Sequence, residues 1–201
     1  MGKKTDLRVL RTKKIIKEAF LTLIQKKGFG AITIQDIADE AFINRATFYL
    51  HYQDKYDLLD QVCDTYLKEL ITKIHNPFHL KNKELDGKRI ELTLISVFEN
   101  IEKNLDFYKI MFGPNGIPNF SHGVEKLLFD KFKANFTAFV GDLNTLEIPA
   151  DFLIKYISSA YIGVIEWWLN TENRYSPEYM AENLKKIITK GPLSMIGYRI
   201  V

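Results

Sequence analysis

Between residues 33 and 52 the chain reads TIQDIADEAFINRATFYLHY. Ile34, Ile37, Ala38 and Ala41 recur there at i, i+3, i+4 and i+7, the spacing of a single helix face. Thr33 can cap that helix through its hydroxyl, and Asp36, three residues on, is a variant of the capping-box spacing. Small Ala38 and Ala41 let a second short helix cross closely. In that second helix Ile43, Phe48 and Tyr52 point inward, which leaves Asn44, Arg45, Thr47, Tyr49 and His51 on or near the outer face. Asp54 then caps a third helix with Lys55 in its first turn, where a lysine and free N–H groups make a ready phosphate site.

The pattern on either side is helical throughout. A helix from about 9 to 27 buries Ile15, Ile16, Ala19, Phe20, Leu23 and Ile24, turns Lys13, Lys14 and Lys17 outward, and ends at Gly28, which accepts a positive φ without steric cost. The helix from 54 to about 75 carries an apolar stripe, Leu58, Leu59, Val62, Cys63, Tyr66, Leu67, Leu70, Ile71 and Ile74. That stripe is longer than a small three-helix core can cover, so one rod serves two halves of the protein. The division it implies is 8–70 and 71–201. Residues 81–88 read as a polar loop. Helices follow at about 88–105, 107–112, 122–146, 149–170 and from a Ser176 cap with Pro177 at the first position. Gly113-Pro114-Asn115-Gly116-Ile117-Pro118 is turn chemistry. No strand-like alternation stands out, and the fold class expected is all-α.

The 149–170 helix differs from the others. Phe152, Leu153, Tyr156, Ile157, Ala160, Tyr161, Val164, Ile165 and Trp168 fall on one apolar face, and Ile154, Ile162, Gly163 and Trp167 on parts of another. A helix apolar nearly all round is buried on both sides. In a chain of 201 residues the second cover is expected from a second copy.

Composition changes the picture in one respect. Net charge is only +3, but nine basic residues stand against Asp6 and Glu18 in the first 30, which puts +7 there and leaves −4 for the rest. A basic head on a mildly acidic body suits attraction to a polyanion at one end. Cys63 is the only cysteine, so no intramolecular disulfide is possible. Met1-Gly2 begins like a myristoylation site, but Asp6 stands where Ser or Thr is wanted. The most apolar stretch, 152–169, leaves only ten residues between Lys155 and Glu166, too short to span a bilayer. A cytoplasmic protein is the expectation.

No catalytic constellation survives inspection, and neither a metal nor a cofactor is expected. His75 and His79 have i, i+4 spacing, but Pro77 between them spoils the helix that would converge them. His122 beside Ser121 has no acid partner in the pattern, and Gly113 to Gly116 lacks the spacing and Lys-Ser/Thr of a phosphate loop. Asp57, Asp60 and Asp64 read as a solvated helix face. The aromatics Phe98, Phe107, Tyr108, Phe112, Phe132, Phe136, Tyr161 and Trp168 could line an apolar or aromatic small-molecule pocket, or could simply fill the core.

The segment TIQDIADEAFINRATFYLHYQDKYDLL resembles the DNA-binding signature of TetR-family transcriptional regulators. The family pattern is met at Thr33, Ile37-Ala38, Thr47-Phe48-Tyr49, Tyr52, Lys55 and Leu58-Leu59. The resemblance implies backbone contacts from Thr33, Thr47, Tyr49, His51 and Lys55. Arg45, Asn44 and Gln35 are the candidates for base reading. A looser resemblance at 104–112 is to the C-terminal domain of TetR-type regulators common in Firmicutes. It implies dimerisation through the last two long helices and an effector that varies among members. The expected function is therefore a homodimeric regulator on near-palindromic double-stranded DNA, a repressor released by a small molecule. The alternative is a DNA-binding adaptor whose C-terminal domain docks a protein partner and activates transcription.

Overall fold

The computed structural model describes residues 7–75, 78–79, 84–143, 146–172 and 174–196. Nine α-helices lie among them: α1 Leu7–Lys27, α2 Ile34–Glu40, α3 Arg45–Tyr49, α4 Lys55–Lys73, α5 Gly87–Lys103, α6 Leu105–Phe112, α7 Phe120–Val140, α8 Ala150–Asn170 and α9 Pro177–Lys190. Short 3-10 turns cover Phe29–Ala31 and Leu193–Ile196. Among the described residues the fold is all-α apart from one two-residue antiparallel ladder, β1 Phe78–His79 on β2 Glu84–Leu85, with Phe78 opposite Leu85. That ladder falls partly where the sequence pattern suggested only loop, because two residues are too few to show alternation.

The chain divides into two compact units. The first is Met1–Leu67 with Asp106–Phe120, and the second is Lys68–Leu105 with Ser121–Val201. The first thus takes α6 and the turn after it as well as the N-terminal helices.

In the first unit Ile16, Phe20 and Ile24 of α1, Ile37 and Ala38 of α2, Phe48 of α3 and Leu58 of α4 are fully or almost fully buried. Ile15, expected in the stripe of α1, is instead exposed, and Leu21 is buried. Phe107 stacks on Tyr66 with centroids 3.9 Å apart and meets Tyr108 and Phe120 edge-on. The Asn115 side-chain amide donates to the Gln25 carbonyl at 3.0 Å, one of the carbonyls α1 leaves unpaired at its C-terminus. Gly116 is required in this turn, since a Cβ there would run into the Met111 carbonyl.

In the second unit α5 buries Ile90, Leu94, Val97, Phe98 and Ile101, and α9 packs along it with Met180, Ala181 and Leu184 buried. Glu91 and Lys185 form an ion pair between these two helices. Ser176 caps α9 by accepting from the Tyr179 N–H, with Pro177 in the first turn as the sequence suggested. In α8 the buried set is Ala150, Ile154, Ser158, Ile162, Ile165, Trp168 and Leu169. Phe152, Tyr156, Ala160, Gly163 and Trp167 lie exposed. The sequence reading had put Phe152, Tyr156, Ile165 and Trp168 on one face, and the packing separates them.

Candidate nucleic-acid interface

α2 starts where a side chain can catch its free N–H groups. Thr33 accepts from the Asp36 N–H at 3.1 Å, and the Asp36 carboxylate accepts from the Thr33 N–H at 2.7 Å. Lys27 adds an ion pair to the same carboxylate at 2.8 Å. Together Lys27 first, then the Thr33 hydroxyl and N–H, hold the Asp36 carboxyl well below the ordinary carboxylate range. The box fixes Thr33 at the helix start, on the surface.

The turn into α3 passes through Phe42 at φ +54°, a left-handed conformation that a bulky side chain rarely adopts. Its ring is 95% exposed. Asn44 follows as the N-cap of α3, its side-chain oxygen accepting from the Ala46 N–H at 2.8 Å. α3 has only five residues, anchored by buried Phe48 and by Tyr52 just beyond it. On the opposite side Arg45 donates to the Tyr49 hydroxyl at 3.2 Å and lies over the Tyr49 ring, 5.6 Å from its centroid. That i, i+4 pair stands exposed. Leu50, which sequence reasoning passed over, is 80% exposed directly after it. Thr47 and His51 are half-buried at the margins. The Gln35 amide is held by the Asp39 carboxylate one turn on, at 2.7 Å.

Lys55 does something other than expected. Its ammonium donates to the carbonyls of Phe29, Gly30 and Ile32 at 3.1, 3.2 and 2.8 Å, and lies over the Phe29 ring at 4.8 Å. An ammonium has three donors, and all three are engaged. The N–H groups of Tyr56 and Asp57 are taken by the Asp54 carboxylate at 2.8 Å each. Both halves of the phosphate site expected at the start of α4 are therefore occupied from within, and Lys55 fastens the α1–α2 connection instead. Part of the basic head is also internally matched: Lys26 pairs with Glu40 at 2.9 Å, and Lys13 and Lys17 sit over the Tyr52 and Tyr66 rings.

The eight aromatics proposed as one pocket fall into two sets. Phe107, Tyr108 and Phe112 belong to the first unit, where Phe107 and Tyr108 are buried and Phe112 meets Phe120 edge-on at 5.1 Å. Phe98, Phe132, Phe136, Tyr161 and Trp168 belong to the second. There Phe98 meets Trp168 edge-on at 5.0 Å, and Phe132 lies 5.6 Å from Tyr161. Helical periodicity reports that a residue faces inward but not which interior it joins.

Two short helices, the second exposing an Arg–Tyr pair between capped ends, make the first unit a helix-turn-helix DNA-binding module. Residues 15–62 match the family model described as "Bacterial regulatory proteins, tetR family", and residues 88–190 match "Transcriptional regulator C-terminal region". The chain belongs to the TetR family of bacterial transcriptional regulators. It is 27% identical over 192 residues to the Bacillus subtilis protein "Uncharacterized HTH-type transcriptional regulator YxbF", covering 92% of this chain and 47% of that protein. The chain thus spans about half the length of that relative. It is also 27% identical over 161 residues to the Lactococcus lactis "HTH-type dhaKLM operon transcriptional activator DhaS", 76% of each being covered. Among solved structures its fold is similar to that of NalD, "the secondary repressor of MexAB-OprM multidrug efflux pump in Pseudomonas aeruginosa", with TM-score 0.66, 15% identity, and 92% and 96% of the two chains covered. Among the described residues no helix is long and apolar enough to cross a membrane.

Proposed function

We propose that two copies of this chain bind a near-palindromic operator, with α3 of each in successive major grooves about 34–36 Å apart. The observation that carries this reading is the outward Arg45–Tyr49 pair on α3. Arg45 reads a base edge, with Asn44 and Gln35 beside it. Thr33, Thr47, Tyr49 and His51 set register on phosphates, and Lys55 positions the unit without touching the duplex. Exposed Phe152, Tyr156, Ala160, Gly163 and Trp167 on α8, with small residues in the middle, suit close crossing by the same helix of a second copy. α9 adds exposed Ile187 and Ile188. The second unit senses an apolar or aromatic molecule held among Phe98, Phe132, Phe136, Tyr161 and Trp168, and its binding releases a repressor from DNA. Release requires the ligand to bind the two arrangements with different affinity.

Arg45→Ala tests the reading directly. Operator affinity falls by about 1–3 kcal/mol and discrimination relaxes at one base pair, measured by fluorescence anisotropy on the promoter fragment and a scrambled control. Equal binding by folded variant and parent would end the assignment. Likeness to an activator, DhaS, supports a second reading in which the bound dimer recruits a protein partner. In vitro transcription from the bound promoter separates the two by the sign of the effect.

A further inference from the structure

α5 carries a polar side chain in a place where polar groups are not left alone. Asn100 is 3% exposed, and neither its Oδ1 nor its Nδ2 meets any hydrogen-bonding group of the protein. A buried amide in that state destabilises the fold relative to a paired one, because the water it gave up is not replaced. Two turns earlier, the Thr93 hydroxyl oxygen is also buried and without a partner. Thr93 and Asn100 are seven residues apart, so they share one face of the helix, roughly 10 Å apart along its axis. The hydroxyl is not simply satisfied by its own helix. Thr12, Thr22, Thr65, Thr137 and Thr189 all donate to the carbonyl four residues back, and the buried hydroxyl of half-buried Thr93 does not.

We infer that Asn100 and Thr93 are the polar anchors of a small-molecule site inside the second unit, and that the molecule is uncharged and carries an amide-like edge. This rests on the effector reading above, that the second unit senses a small molecule, and names the polar groups that would hold that molecule and its chemistry. An asparagine amide offers a donor and an acceptor side by side, and its complement presents an acceptor beside a donor, as a carboxamide, lactam or similar edge does. A charged group is disfavoured by the charge pattern of α5. Lys88, Arg89, Glu99, Glu102 and Lys103 of α5 are exposed, and Glu91 is matched by Lys185. No charge of this helix faces Asn100 to offset a buried ion, whose desolvation is far costlier than that of a neutral group. The body of the ligand is apolar, since Leu94, Val97 and Ile101 flank the pair along the helix. Thr93 takes a second polar group about 10 Å from the first.

The test uses the full chain with benzamide as probe and ethylbenzene and benzoate as controls. In proton–nitrogen spectra the Asn100 side-chain NH2 pair, identified by its loss in Asn100→Leu, shifts saturably with benzamide and stays put with both controls. Asn100→Leu weakens benzamide binding at least tenfold and raises the apo Tm by about 2–4 °C. Thr93→Val, which keeps shape and removes only the hydroxyl, also raises Tm and serves if the leucine variant fails to fold. An NH2 pair indifferent to benzamide, benzamide binding unchanged in Asn100→Leu, or a lowered Tm in both variants overturns the inference. Operator binding, followed in the same samples, stays at the parent's level in both apo variants. A release of operator by some compound that ignores Asn100 would overturn this site and leave the effector reading standing, whereas release by no compound would overturn that reading too.

Discussion

The two units differ in how they treat polar groups. In the first, side chains that could disturb the backbone are matched, Thr33 with Asp36, Asn44 with the Ala46 N–H and Asp54 with Tyr56 and Asp57 within a few residues, and Lys55 with three carbonyls farther along the chain. The second unit has matched surface groups as well, such as Glu125 with Lys155 at 2.7 Å. Yet every buried side-chain polar atom found without a partner among the described residues, on Thr93, Asn100 and Arg174, lies in it, as does the exposed apolar face of α8. A reader of DNA profits from groups held before the encounter. A unit with unpaired interior groups and an uncovered face gains stability when a partner covers them.

The contrast breaks most visibly at α8. Ala160→Glu places a charge in the middle of the exposed small-residue patch and keeps the chain monomeric in sedimentation, and operator affinity drops by roughly 10²–10⁴, the loss of a second tethered contact. A dimer of unchanged affinity would remove α8 from the interface. Lys55→Ala acts in the other unit. It leaves three carbonyls short of a donor and lowers stability by about 1–3 kcal/mol, read by urea denaturation, while the slope of log affinity against log salt stays that of the parent. A slope reduced by about one per subunit would return Lys55 to the phosphates.

Phe42→Gly runs against the usual direction of mutation. It relieves a left-handed aromatic residue that buries nothing, and stabilises by about 1 kcal/mol, seen as a Tm rise of roughly 2–4 °C. The smallest effect concerns acid. Asp36 is depressed by Lys27 and Thr33, so the stability it contributes is fully present above the unfolded carboxylate pKa, about 4, and is lost as pH falls below that toward its folded value. Asp36→Asn should flatten the low-pH end of the stability curve by that share, a difference visible in Tm at pH 3 to 4 against pH 7.

What could be read from the chain was what is settled locally. Thr33 with Asp36, Ser176 with Pro177 and the end of α1 at Gly28 each involve neighbours within a turn, and each stands where the pattern put it. Gly28 does adopt a positive φ, +75°. The Lys55 contacts are not legible in the sequence, because the three carbonyls lie 23 to 26 residues away and nothing in local spacing reveals them. The division of the aromatic set between the two units is hidden from the sequence for the same reason. α8 was assigned the wrong faces because a helix apolar nearly all round gives periodicity little contrast. Leu50 and Asn100 went unnoticed because each looks ordinary until its surroundings are known, an aliphatic residue among polar ones and a polar one among aliphatics.

The five-residue length of α3 has a practical corollary for engineering. A segment that short is far below the dozen or so residues an isolated helix needs in water, so an excised peptide spanning it would be a random coil with no grip on a promoter. Swapping sequence preference between such proteins would mean transplanting the whole N-terminal module, hydrophobic floor included, rather than grafting a handful of residues.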